Sequence, residues 1–295
     1  MMLIEKYIRY LRHEKNYSSH TEISYFTDLV QFKTFLEEHC QDIGMKDVDG
    51  DVVRRWIVCL MEQRISARSV NRKLSSLKSF YRYLLRIGEI ETNPMRRVVG
   101  PKAKQPLPSF VGDKDMNALL DEVAEDESDF EQLRNKIIIE LFYMTGIRRA
   151  ELIGLKDTDV DFSANVIRVT GKRNKQRLIP FGRDTKQRLE DYLEKRNTQI
   201  EKQSGWFFVK KDGGQLYPMI VYRAVTAELK WIPSLVKKNP HVLRHSFATG
   251  MLNNGAELNA VKELLGHSSL ASTQVYTHTS FEELKNIYNK AHPRA

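Results

Sequence analysis

The chain has 295 residues, 41% of them apolar and 29% charged, enough for two domains each with its own core. No run of 18 or more apolar residues occurs, so no membrane-spanning helix is expected. The N-terminal stretch MMLIEKYIRYLRHEKNYSS mixes charge with apolar residues from the start, unlike a secretory signal. Cys40 and Cys59 stand at no metal or redox spacing and read as free thiols in a reducing compartment, which makes a cytoplasmic location the expectation. Net charge is +9 and unevenly spread: from Arg64 to Lys104 eleven Lys or Arg face only two acids, Glu89 and Glu91, so that segment alone equals the whole chain's excess. Such a concentration attracts a polyanion and releases its counterions.

The first part of the chain reads as four helices. Leu3, Tyr7, Ile8 and Leu11 repeat at helix spacing, as do Ile23, Phe26, Leu29 and Val30 with Phe32, Phe35 and Leu36. Val52, Val53, Trp56, Ile57 and Leu60 mark a third helix. The fourth runs from about Ser66 to Arg86, with Val70, Leu74, Leu77, Tyr81, Leu84 and Leu85 as its apolar stripe. On its opposite face Arg68, Arg72, Ser75, Ser79, Arg82 and Arg86 recur at alternating steps of four and three. Short serines between arginines let a phosphate backbone approach closely, and the guanidinium fork fits phosphate oxygens, so these six are candidate DNA contacts.

Residues 98–112, VVGPKAKQPLPSFVG, hold three prolines and two glycines and read as a linker between a domain over 1–97 and a larger one over 113–295. The larger part predicts helices at Asp115–Ala124, Leu133–Tyr143, Thr185–Arg196, Pro218–Leu229, His241–Asn253 and Asn259–Leu265, with a short separate helix in SFEELKNIYNKA. Between the second and third of these, Val166, Ile167 and Val169 predict one strand and Leu178 with Ile179 another, joined by the turn GKRNKQ. The expected class is mainly α, with one small antiparallel sheet.

Four segments of the larger part belong together: TGIRRAELIGL (145–155), VTGKRNKQRLIPF (169–181), HVLRHSFATGML (241–252) and LLGHSSLASTQVYTH (264–278). Attack on a phosphodiester without a metal needs fixed cations for oxygens that gain charge at the pentavalent stage. It also needs a nucleophile and an acid for the leaving sugar oxygen. Arg148, Lys172, His241, Arg244, His267 and Tyr276 supply those types in that order. His241 and Arg244, three apart, share a helix face. His267 follows Gly266, a residue suited to a helix C-terminus. Tyr276 comes nine residues later, after small polar residues.

Other signals fail. His241 and His245 lack the intervening glutamate of a zinc-protease helix. Asp157, Asp159 and Asp161 start like a calcium loop but put Phe162 and Arg168 where the loop needs glycine and glutamate, so they are expected to end a helix before a strand. Neither a Walker motif nor a dinucleotide fingerprint is present, and no metal or nucleotide cofactor is expected.

On TGIRRAEL, HVLRHSFAT, LLGHSS and VYTH the chain resembles the tyrosine recombinase (phage integrase) family, most closely its bacterial Xer branch. The resemblance implies a four-helix SAM-like core-binding domain, a mostly helical catalytic domain and a C-terminal docking helix. It implies that Tyr276 forms a 3′-phosphotyrosyl bond, Arg148 and Arg244 bind the non-bridging oxygens, and Lys172 protonates the leaving 5′-oxygen. His241 would assist proton transfer, His267 would hydrogen-bond the phosphate, and Glu151 would orient the Arg148 region. Arg149, Ala150, Arg173 and Gly250 depart from the family's usual residues without removing a catalytic position. The implied partners are a double-stranded recombination site and a homo- or heterotetramer on DNA with a related recombinase. A cell-division DNA translocase is also implied, in a role resolving chromosome dimers through a Holliday junction. The alternatives are an integrase of a mobile element, a type IB topoisomerase, and an inactive DNA-binding accessory protein.

Overall fold

The computed structural model describes residues 2–40, 43–103, 110–121, 129–171, 174–201, 204–266 and 278–294. They fall into two compact units, Met1–Pro106 and Leu107–Ala295.

The first unit holds helices α1 (Met2–His13), α2 (Ser19–His39), α3 (Gly50–Glu62) and α4 (Ala67–Arg86). Three start on side-chain caps: Ser18 accepts from Thr21 N, Asp49 from Asp51 N and Val52 N, and Ser66 from Ser69 N. Tyr7, Phe32, Trp56, Leu77, Phe80 and Tyr81 are buried where the helices meet. Three expected core residues lie outside: Ile23, Phe26 and Leu85 are 64%, 38% and 41% exposed. On α2 the buried stripe runs through Glu22, Asp28, Leu29, Phe32, Phe35 and Leu36. Ile23 sits almost opposite that stripe and Phe26 a little more than a quarter-turn from it.

Asp28, fully buried, joins α2 to α4. Its Oδ2 accepts from Arg72 Nη1 at 2.6 Å, and its Oδ1 from Arg72 Nη2 at 2.7 Å and Lys73 Nζ at 3.2 Å. Lys73 is therefore an internal cation rather than part of the exposed basic face. Arg68, Arg72, Ser75, Arg82 and Arg86 are exposed and Ser79 half-buried, along one side of α4. Arg86 lies over the Tyr10 ring at 4.1 Å and donates to its hydroxyl at 3.0 Å. No ion pair from Arg68 or Arg82 occurs among the described residues.

The second unit contains α5 (Asp113–Asp121), α6 (Phe130–Thr145), α7 (Arg149–Ile153), α8 (Arg183–Gln199), α9 (Pro218–Leu229), α10 (Pro240–Asn253), α11 (Leu258–Leu265) and α12 (His278–Ala291). Helix α6 is buried on every side from Ile137 to Thr145, as its run IIIELFYMT requires, and packs against α8, α9 and α10. Strands β1 (Val160–Asp161), β2 (Val166–Thr170) and β3 (Gln176–Pro180) form an antiparallel sheet in that order, with Ile167 opposite Ile179 and Val169 opposite Arg177.

Two expectations change here. Asp157 and Asp159 lie in a 3-10 turn, and Asp161 is itself in β1 instead of ending a helix. The Asp161 carboxylate accepts from Ser163 N and Ala164 N, both at 2.9 Å, and so builds the β1–β2 turn. Leu178 is 40% exposed, because β3 turns Arg177 and Ile179 inward.

Helix α12 packs on α10, α11 and β3 of its own unit, burying Leu284, Tyr288 and Ala291. His292 follows it into a pocket of the Tyr143, Phe247 and Tyr288 rings, at 5.3, 5.6 and 5.2 Å. Its Nε2 donates to Tyr143 O at 3.3 Å and its Nδ1 accepts from Arg294 N at 3.1 Å, a pairing that requires the neutral ring. No helix among the described residues is long and apolar enough to cross a membrane.

Two outcomes test this packing. Asp28→Ala leaves Lys73 buried without its counter-charge and should cost about 3–5 kcal/mol in urea unfolding of the full chain. A loss under 1 kcal/mol would show that the pair does not join the helices. Burial lowers the His292 pKa to about 4 from 6.5, against smaller raising effects of the Tyr143 carbonyl and Asp113. The unfolded chain thus binds the extra proton first. The stabilisation is complete above pH 6.5 and is lost as pH falls towards 4. In thermal melts between pH 7 and 4, wild type should lose more stability than His292→Gln, and parallel losses would contradict it.

Candidate active site

Three arginines gather around one carboxylate at the ends of two helices. Helix α6 stops at Gly146, whose φ of 58° is left-handed. A Cβ there would lie 2.6 Å from Phe247 Cδ1 and 2.7 Å from Leu265 Cδ2, so both backbone and space require glycine. The chain leaves the left-handed turn through buried Ile147 and presents Arg148 as N-cap of the short α7. Glu151, one turn on, accepts from Arg148 N at 2.9 Å on Oε2 and from Arg148 Nη1 at 2.7 Å on Oε1.

Helix α11 likewise ends at a left-handed glycine, Gly266, with φ 64°. Its last carbonyls have no partners within the helix. Each of three is taken by a different arginine: Leu264 O by Arg177 Nε, Leu265 O by Arg244 Nη2, and Gly266 O by Arg148 Nη2, all at 2.7 Å. Arg244 Nη1 also donates to Gly146 O, at the end of α6. Cations at helix C-termini are favoured by the negative end of the dipole.

Arg177 is the residue that reading the sequence missed. It forks onto Glu151, with Nη1 to Oε1 at 2.8 Å and Nη2 to Oε2 at 2.9 Å, and its side chain is only 6% exposed. The available signal was strand parity, since Arg177 shares the inward phase of Ile179 and Phe181. Burial pushes the Glu151 carboxyl up, but the hydrogen bonds and charge of Arg177, with those of Arg148, outweigh it and hold the group below the usual carboxylate range. Arg244 is driven the other way: burial first, then the charges of Arg148 and Arg177, lower its pKa to about 10. It stays protonated at neutral pH, beside two other guanidiniums and the single Glu151 carboxylate that Arg148 and Arg177 share.

That excess charge faces a cleft of about 260 Å³ lined by Ile147, Arg148, Arg149, Tyr222, Asn239, Pro240, His241 and Arg244. Asn239 caps α10 by accepting from His241 N at 3.0 Å, and Pro240 occupies the first helical position. His241 and Arg244 therefore start one turn apart on the helix that borders the cleft. Each guanidinium has five N–H donors. Among the described residues Arg148 and Arg244 each use two, leaving donors for an anion. Gly171, just before Lys172, brings the β2–β3 turn against this group, since a Cβ there would lie 3.2 Å from Glu151 Oε1. The structure thus brings together Arg148, Glu151, His241 and Arg244. Lys172, His267 and Tyr276 lie outside the described residues.

Residues 110–283 match the phage integrase family, and residues 4–88 match the phage integrase N-terminal SAM-like domain. The tyrosine recombinase XerC of Chlorobaculum tepidum is 38% identical, over 98% of this chain and 94% of its own. That of Staphylococcus aureus (strain MW2) is 39% identical over 99% and 96%. Among solved structures, the XerH site-specific recombinase bound to palindromic difH substrate matches with a TM-score of 0.72 at 21% identity, over 96% of this chain and 82% of that one. The Tn1549 transposon integrase in complex with circular intermediate DNA matches with a TM-score of 0.71 at 21% identity, over 95% and 98%. At that identity the likeness is one of fold.

A methyl group tests the seat at the end of α11. A Cβ on Gly266 would sit 3.0 Å from Arg177 Nη1, whereas Gly255, also left-handed at φ 87°, has nothing within 4 Å. Both alanine variants incur a left-handed penalty of about 1–2 kcal/mol. Gly266→Ala should exceed Gly255→Ala in urea unfolding and should also slow DNA cleavage. Equal losses and unchanged cleavage would show that Arg177 is not held at this point.

Proposed function

The chain belongs to the phage integrase family and is a site-specific DNA recombinase, and from that premise we propose that it cuts duplex DNA through a 3′-phosphotyrosyl bond to Tyr276. The observation that carries this reading is the pair Arg148 and Arg244. Both are held by helix-end carbonyls and border one cleft with His241, with donors left over.

The scissile phosphodiester enters as a monoanion and gains negative charge as the fifth bond forms. Arg148 and Arg244 meet its non-bridging oxygens, with His267 donating a further hydrogen bond. The Tyr276 oxygen attacks phosphorus while its proton passes to His241. The bond from phosphorus to the 5′-oxygen breaks, and Lys172 gives that oxygen its proton. Glu151 orients Arg148. The phosphotyrosyl ester conserves the energy of the broken diester, so a 5′-hydroxyl from the other duplex reverses the step without ATP. One such exchange yields a Holliday junction and a second resolves it.

The exposed arginines and serines of α4, Arg68, Arg72, Ser75, Ser79, Arg82 and Arg86, take the phosphates of the recombination site in this reading. Four subunits, all of this chain or two of them from a related recombinase, assemble on paired sites in the cytoplasm, under a cell-division DNA translocase. Their task is chromosome-dimer resolution, a reading supported by resemblance to the Xer branch over nearly the whole chain.

Nicked suicide duplexes incubated with wild type or Tyr276→Phe in EDTA test the chemistry. Wild type should give an SDS-stable adduct on the 3′ end and the variant none. An adduct of equal yield with Tyr276→Phe, or one at the 5′ end, would overturn the assignment. Cells lacking the chain should form filaments that disappear when homologous recombination is also abolished. Normal division would point to a mobile-element integrase.

A further inference from the structure

Arg177 has no place in the chemistry above. It borders no part of the cleft, and its side chain is 6% exposed. Burying a guanidinium costs several kcal/mol unless it is fully paired. Here the pairing is complete on one side: two oxygens of Glu151 and the Leu264 carbonyl.

The partners of Glu151 explain the arrangement. Each of its oxygens receives one donor from Arg177 and one from Arg148. Without Arg177, a buried carboxylate would face Arg148 alone. It would neutralise that guanidinium and draw it into a two-pronged pair, the geometry that Arg and carboxylate prefer. Arg148 would then meet a phosphate with less charge and fewer donors. With Arg177 present, the Glu151 carboxylate is shared between two guanidiniums, and among the described residues the cluster of Arg148, Arg177, Arg244 and Glu151 keeps an excess of positive charge. The Arg244 pKa is lowered first by burial and then by the charges of Arg148 and Arg177, in line with that excess. Arg177 also ties β3 to the end of α11, its partner lying 87 positions along the chain.

We propose that Arg177 is a positioning residue for recombination, which neutralises and clamps Glu151 so that Arg148 keeps its charge and donors for the scissile phosphate. This rests on the assignment of Arg148 to the phosphate.

The test compares Arg177→Met and Arg148→Met with wild type in single-turnover cleavage of suicide substrates. One substrate has the natural scissile phosphate and the other a methylphosphonate, which is neutral at the start and carries one negative charge fewer as the fifth bond forms. Circular dichroism at the assay temperature checks folding, and gel shift measures DNA affinity. On the natural phosphate Arg177→Met should cleave about 30-fold or more slowly, below the roughly 100-fold typical of losing a direct donor. DNA affinity should change by less than about 3-fold, since a buried residue contacts no phosphate. On the methylphosphonate both defects should shrink to within about 3-fold of wild type, because the missing charge no longer matters. Arg177→Lys should recover part of the rate by restoring the charge without the fork. If Arg148→Met shows this dependence on substrate charge and Arg177→Met loses rate equally on both, Arg177 is merely structural and the proposal falls. If neither variant shows the dependence, or wild type forms no adduct, the assignment of Arg148 fails and takes the proposal with it.

Discussion

The catalytic unit depends on arginines bound to backbone carbonyls at helix ends. Leu264, Leu265 and Gly266 each give a carbonyl to a different arginine, and Gly146 gives one to Arg244 as well. A long cationic side chain has about 2 kcal/mol of rotamer entropy to lose before it can act as a fixed donor. Here folding, not substrate binding, orders it. The same contacts terminate α6 and α11, so secondary structure and site preorganisation come from one set of hydrogen bonds. Both helices can end there only because Gly146 and Gly266 take left-handed conformations against close neighbours.

Balance of charge follows from that arrangement. Glu151 is the carboxylate bound among these arginines, and Arg177 answers it from the buried side. Among the described residues Glu151 is shared by Arg148 and Arg177, so Arg148 and Arg244 face the cleft with more positive charge than that carboxylate balances. In a site built this way burial, then the charges of Arg148 and Arg177, lower the Arg244 pKa. An anion relieves that repulsion, and more so as its charge grows, which is the requirement for speeding the proposed phosphoryl transfer. The first unit shows a related device. Buried Asp28 orients Arg72, and Tyr10 holds Arg86, so two arginines of the α4 face have internal supports.

Much of this was legible in the sequence. Helices with long apolar periods came out within a few residues: α9 coincides with Pro218–Leu229, and α10 begins one residue earlier than expected because Asn239 caps it ahead of Pro240. The motifs and their order single out Arg148, His241 and Arg244, the family resemblance adds Glu151, and the four meet in space. What escaped has physical reasons. Strand β1 is two residues long, too short to carry a period. Ile23, Phe26 and Leu85 are apolar but lie off the buried phase, and apolar character alone does not set a helix's rotation. Lys73 looked like one more surface cation until α2 supplied Asp28 across 45 residues.

By itself the sequence determined the residue types the proposed chemistry requires, their order, and the helical frame that carries them, because periodicity and capping act over a few residues. Tertiary structure alone decided which cations are available to a phosphate. Arg148 reaches Gly266 across 118 residues, Arg244 reaches Gly146 across 98, and Arg177 reaches Leu264 across 87. Two arginines of the same composition, Arg148 and Arg177, differ in role only because packing leaves one at the cleft and buries the other behind Glu151. No local rule distinguishes them, since the difference lies in what surrounds each guanidinium once distant segments have met.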